Sequence, residues 1–153
     1  MGRWLAIDLG DRRIGLAISD PTGTIASPVG FNARRAGKRP PVAALLAKAR
    51  ELGASGFVVG LALDQRGEET ARAAEARRLA AELEKKTRLP ARLVDERFTT
   101  AAALRAVKEI EGSTRGRKGD VDALAATLLL QHAMRMEPGG REPRAESRES
   151  ADE

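Results

Sequence analysis

The chain opens on short, dense apolar runs separated by brief polar gaps, and only later changes to helical spacing. Arg3 to Leu9 (RWLAIDL) predicts a strand, apolar except for Asp8 near its end, and Ile14 to Ser19 predicts a second. The gap between them is so short that the two form a hairpin, turning through Gly10, Asp11, Arg12 and Arg13. Asp20-Pro21-Thr22-Gly23 is a turn, so Thr24 to Phe31 continues the meander as a third strand. A basic loop, Asn32 to Pro41, follows. Val42, Leu45, Leu46, Ala49 and Leu52 then recur at helical spacing, with Pro41 at the start and Gly53 at the end.

The second half alternates the two periods. Gly56 to Gly60 (GFVVG) is apolar throughout, the mark of a strand covered on both faces. Glu69 to Lys86 predicts a helix with Ala73, Ala76, Leu79, Ala80 and Leu83 on one face. Ala91 to Val94 is another short buried strand, ending in Asp95-Glu96-Arg97. Thr99 or Thr100 caps a predicted helix carrying Ala103, Leu104, Val107 and Ile110. Gly112 to Gly119 (GSTRGRKG) is a basic loop, and Asp120 caps a last helix over Val121 to Met136. From Glu137 on, large apolar residues are lacking, so residues 137–153 predict a disordered charged tail behind one domain over 1–136. The order gives an α/β domain: a mixed sheet of a three-strand antiparallel meander plus two parallel strands, flanked by helices.

Composition narrows the chemistry. The chain of 153 residues has no cysteine and one histidine, His132, which leaves no thiolate nucleophile, no cysteine zinc site and little scope for a histidine relay. No apolar run approaches a membrane span, and no secretory leader is visible, so a cytoplasmic protein is expected. The net charge of +5 is uneven: the tail carries three arginines and six acids, leaving +8 on the body. A basic body suggests a polyanion, most simply nucleic acid, although charge alone is equally the dress of a soluble surface. With three phenylalanines, one tryptophan and no tyrosine, the backbone of that nucleic acid is the expected contact.

Ligands in open α/β sheets gather outside the carboxyl ends of the strands. Asp8 and Glu96 fall there together if the first strand is central and parallel to the later ones, and the last helix could bring Asp122 to the same edge. Each has a plain alternative: Asp8 accepting from its turn, Glu96 pairing with Arg97, Asp122 favouring a helix N-terminus. Together, three carboxylates repel unless a cation neutralises them, and such oxygen donors suit Mg²⁺ or Mn²⁺. Two ions about 4 Å apart serve phosphodiester cleavage. Gly10 allows a tight turn beside Asp8, and Arg12, Arg13, Arg97, Arg115, Arg117 and Lys118 are candidate phosphate contacts. Ser19, Asp20 and Asp64 sit at turns and read as structural.

The blocks AIDLGDRRIGLAISD, GFVVGLALDQRGEET, LVDERFTT and KGDVDALAATLLLQ together resemble the YqgF (RuvX) family of pre-16S rRNA nucleases, related to Holliday-junction resolvases. They lie in the family's order and span Leu5 to Met136. The resemblance implies a ribonuclease-H-like fold and a divalent-metal nuclease trimming the 5′ end of the small-subunit ribosomal RNA precursor. Its acidic motif positions fall on Asp8, Glu96 and Asp122. Ala62 stands where members often carry proline, and Arg12 where lysine is common, which keeps the charge but changes the grip on phosphate. Three alternatives stay open. One is a Holliday-junction-type DNA nuclease, which would act as a symmetric homodimer, though no residue marks a dimer face. Another is a non-catalytic nucleic-acid-binding factor. The last is an ATP-binding protein, since an Asp-x-Gly turn also opens the actin and Hsp70 fold, which needs a far longer chain.

Overall fold

Strands that are apolar on both faces need cover on both faces, and the fold supplies it. In a computed structural model of the chain, which describes residues 2–34, 39–64, 66–96 and 118–136, five strands form one sheet. They are β1 (Arg3–Leu9), β2 (Arg13–Ser19), β3 (Ala26–Ala33), β4 (Ala54–Leu61) and β5 (Ala91–Asp95), in the order β3-β2-β1-β4-β5. β2 pairs antiparallel with β1 and with β3; β4 pairs parallel with β1 and with β5. This is the expected meander with two parallel strands added.

Two helices cover one face: α1 (Val42–Leu52) and α2 (Ala71–Thr87). Their Leu45, Ala49, Ala73, Ala76, Leu79, Ala80 and Leu83 pack on Leu5, Ile7, Leu9, Phe57 and Val59. A third, α3 (Lys118–Met136), covers the other face, where Ala126, Leu129, Leu130 and Ala133 meet Ala6, Ala17, Val58 and Val94. Period two along β1 thus sends Leu5, Ile7 and Leu9 to α1 and α2, and Ala6 and Asp8 to α3.

Several boundaries differ from the sequence expectation, three of them at the start of an element near the site or its supports. β3 begins at Ala26 rather than Thr24, because Asp20 accepts from the backbone N–H groups of Thr24 (2.7 Å) and Ile25 (2.9 Å) and keeps both in the turn. α2 begins at Ala71 rather than Glu69. Thr70 caps it, accepting from Ala73 N at 3.1 Å, and Glu69 is bridged to Leu63 instead. α3 begins at Lys118, so Asp120 lies inside the helix and is not its cap; Gly119 is accommodated in the first turn. The predicted helix after Thr99, most of the basic loop from Gly112 and the tail 137–153 lie outside the described residues. Among the described residues no helix is long and apolar enough to cross a membrane.

Candidate functional site

Two glycines flank Asp8 across the sheet, and each makes room for something. Asp8 pairs with Gly15 of β2. A Cβ on Gly15 would stand 2.0 Å from the carbonyl oxygen of Asp122 and 2.5 Å from its carbonyl carbon. The bare glycine backbone is therefore the seat of α3, which rests its Asp122 peptide directly on β2. On the other side, β4 presents Gly60 to the same face. A Cβ there would meet Leu129 Cδ2 at 3.1 Å, Glu96 Oε1 at 3.2 Å and Asp8 Oδ1 at 3.8 Å. Two carboxylates, one on β1 and one just past β5, therefore converge over Gly60.

Glu96 reaches that point because it follows β5 immediately and shares the face of Val94. Asp8, Glu96 and Asp122 are all buried. Burial pushes the Glu96 carboxyl up to about 7, the negative charge of Asp95 adds to the rise, and Arg72 opposes it. The Asp122 carboxylate accepts from Arg13 Nε at 2.9 Å. Thus the structure brings Asp8 and Glu96 together and sets Asp122 beside them in backbone position, with its carboxylate on an arginine. Among the described residues no three acidic or histidine side chains are grouped closely enough to hold a metal ion in this conformation.

A second charged cluster fixes the β1–β2 turn. Arg34, just past β3, has a side chain only 4% exposed. It donates to both oxygens of Glu75 on α2, at 3.1 and 2.6 Å, and to the carbonyl of Gly10 at 3.2 Å. Arg72 of α2 pairs with the same Glu75 at 2.8 Å and with Asp11 of the turn. Burial pushes the Glu75 carboxyl up, and the two guanidinium groups outweigh it, so it titrates below its ordinary range. Gly10 has no left-handed backbone; it is required because a Cβ would stand 2.6 Å from the Arg13 carbonyl oxygen.

Arg12 is exposed at the turn tip, whereas Arg13 is committed to Asp122. Arg97, Arg115 and Arg117 lie outside the described residues, and Lys118 is placed as backbone in the first turn of α3. His132 is half-buried on α3. Ser19, Asp20 and Asp64 act in turns or on backbone: Ser19 Oγ accepts from Trp4 N at 2.8 Å, and Asp64 Oδ1 accepts from Arg66 N and Glu68 N at 2.9 Å. Sequence reasoning missed Gly15, Gly60 and the Arg34–Glu75–Arg72 cluster. A lone glycine inside an apolar strand is a known sign of close backbone approach, so the two glycines were findable. The cluster joins the end of β3 to α2 and had no local signal.

The donor set suits a hard divalent cation: oxygen ligands only, two of them buried carboxylates sharing the space that a Cβ at Gly60 would fill. Comparison with known proteins gives the family and the fold. The RuvX family model, described as Holliday junction resolvase, matches residues 2–136. A protein of Clavibacter michiganensis subsp. michiganensis is 40% identical over 143 residues, covering 94% of this chain and 89% of the relative. One of Koribacter versatilis is 43% identical over 130 residues, covering 85% and 84%. Both carry the provisional name pre-16S rRNA nuclease. Among solved structures, T. thermophilus RuvC in complex with a Holliday junction substrate aligns with a TM-score of 0.56 at 16% identity, covering 92% of this chain and 98% of that one. That likeness establishes the ribonuclease-H-like fold.

Proposed function

The chain belongs to the RuvX family, and from that premise we propose that it is a divalent-metal-dependent nuclease that hydrolyses phosphodiester bonds in the precursor of 16S ribosomal RNA, at its 5′ end, in the cytoplasm. The observation that carries the reading is the convergence of Asp8 and Glu96 over Gly60 at the carboxyl edge of the sheet, with Asp122 seated beside them on Gly15. Asp8 and Glu96 would hold the ion, Mg²⁺ or Mn²⁺, with Asp122 as the third ligand once Arg13 releases it. When bound, one or two such ions supply polarisation of the attacking water and charge stabilisation at the leaving oxygen.

The chain's own residues do the rest. Arg13 is half-exposed and holds Asp122 through one guanidinium nitrogen. An incoming phosphate competes for that guanidinium, and charge-assisted contacts to phosphate are strong. Phosphate binding and release of Asp122 are therefore one exchange. Arg12, exposed beside it, meets a flanking phosphate. Gly10 keeps the turn slim enough for backbone to approach. The Arg34–Glu75–Arg72 cluster holds this turn against α2, so Asp8 and the two arginines keep a fixed relation.

The test is cleavage by purified protein with Mg²⁺ or Mn²⁺, offered a 5′-extended 16S precursor and a four-way DNA junction side by side. Wild type should cut the precursor and Asp8→Asn should not. Cleavage of the junction alone would favour the second reading, a resolvase, which the description of the family model supports. Salt-sensitive binding without cleavage under either ion would leave a nucleic-acid-binding factor instead.

A further inference from the structure

Phe31 is a large apolar side chain left 46% exposed, on the edge strand β3 and in line with the site. It pairs with Gly15, and Gly15 pairs with Asp8. Residues paired in register share a face, so Phe31, Gly15 and Asp8 form one row, with the Asp122 peptide of α3 seated on Gly15 at its middle. At about 4.8 Å per strand, Phe31 stands about 10 Å along that row from Asp8. Phe57, by contrast, is fully buried in the core.

The surroundings of Phe31 suit a flat, negatively tethered partner. β3 carries no acidic residue, and its last residue, Ala33, pairs with Arg13, next to exposed Arg12. Pro28 and Gly30 make β3 a poor template for a further strand, which argues against a second copy docking by strand addition.

We propose that Phe31 is a stacking platform for an unpaired nucleobase of the substrate, near the phosphate that Asp8 and Glu96 address. The position of that phosphate rests on the nuclease reading above. The consequence is a substrate class: nucleic acid that is single-stranded beside the cleavage point, since a base inside a duplex is already stacked on both sides. Phe31 positions substrate and takes no part in the chemistry. Backbone contacts from Arg12 bind every sequence alike; Phe31 adds a contribution that salt does not screen.

The experiment uses the full chain and RNA oligonucleotides carrying 2-aminopurine near the scissile position, either unpaired or in a duplex. Phe31→Ala should raise KM for the unpaired substrate about 10-fold, in line with aromatic–base stacking, with kcat within about 2-fold. Phe31→Trp should restore KM, and Phe31→Leu should not. In the cleavage-deficient Asp8→Asn background, bound 2-aminopurine should be quenched with Phe31 or Trp at this position and not with Ala. An unchanged KM in Phe31→Ala, full rescue by Leu, or a doubled solution mass that Phe31→Ala abolishes would each overturn the proposal. If wild type binds and quenches 2-aminopurine but cuts nothing, the nuclease reading fails and the stacking platform stands. If wild type cuts and Phe31→Ala cuts with the same KM, only the platform fails.

Discussion

Gly15→Ala changes no acid and no charge, yet it should disable the site. The added methyl would sit 2.0 Å from the Asp122 carbonyl oxygen, and ordinary contact begins at 3.4 Å, so the start of α3 must retreat by about 1.4 Å. The opposing atoms are helix backbone, held by the packing of Ala126, Leu129 and Leu130 on the sheet, and cannot swing aside as a side chain would. Overpacking of this kind costs about 1–3 kcal/mol. That is less than a typical domain's stability, so the variant should fold. A displacement of about 1 Å in a site residue costs about 100-fold in rate. Gly60→Ala is the graded comparison. Its methyl would meet only side-chain tips, at 3.1 Å (Leu129) and 3.2 Å (Glu96), which yield by a few tenths of an ångström. Urea denaturation gives the stability change, and single-turnover cleavage of a 5′-extended precursor gives the rate. The expected order is wild type, then Gly60→Ala, then Gly15→Ala with cleavage down about 100-fold. A folded Gly15→Ala protein with wild-type cleavage would refute the claim that α3 must seat on β2 for Asp122 to act.

Glu96 makes the metal-free protein sensitive to pH. Its carboxyl is raised from 4.5 to about 7 in the fold, so the folded state binds the proton more tightly and stability falls as pH rises between those values, by about 3 kcal/mol. With EDTA present, Glu96→Gln should therefore be more stable than wild type at pH 8 and little different at pH 4; parallel melting curves at both pH values would contradict this. Glu75→Ala removes the carboxylate shared by Arg34 and Arg72 and should cost about 3 kcal/mol by denaturant midpoint, where a change under about 0.5 kcal/mol would mean the cluster is idle. Arg12→Ala should weaken RNA binding and reduce the slope of log K against log salt by about 1, whereas an unchanged slope would remove Arg12 from the backbone contacts. Arg88 ends α2 in the left-handed region at φ 64°, so Arg88→Gly should stabilise the protein by about 0.5–1 kcal/mol in thermal unfolding; a lower melting temperature would show that its side chain matters more than its backbone.

The sheet was legible because its strands are bounded by strong local signals. The apolar run at Phe57 to Val59 and the turn at Asp20 to Gly23 placed β4 and the β2–β3 connection from sequence alone. Boundaries moved where side chains captured backbone, as Asp20 did at β3 and Thr70 at α2. The location of Asp8 and Glu96 at one edge followed from parallel topology, which a hairpin followed by βα units dictates. The state of Asp122 did not follow. Its pairing with Arg13 spans 109 residues, and no periodicity reports a contact of that range. The same holds for Arg34 and Glu75, which pair across 41 residues of sequence. Arg13 reads as a free phosphate contact in the sequence and is the keeper of an acid in the fold.

The central claim is that Asp8 and Glu96, joined by Asp122, bind a divalent ion for phosphodiester hydrolysis. Titration of Mn²⁺ into the protein at pH 8, followed by electron paramagnetic resonance of the free ion, tests it without any substrate. Wild type should bind, Asp8→Asn and Glu96→Gln should lose binding by 10-fold or more, and Asp122→Asn should be weakened less because Arg13 already occupies its carboxylate. Equal Mn²⁺ binding by wild type and Asp8→Asn would contradict the claim.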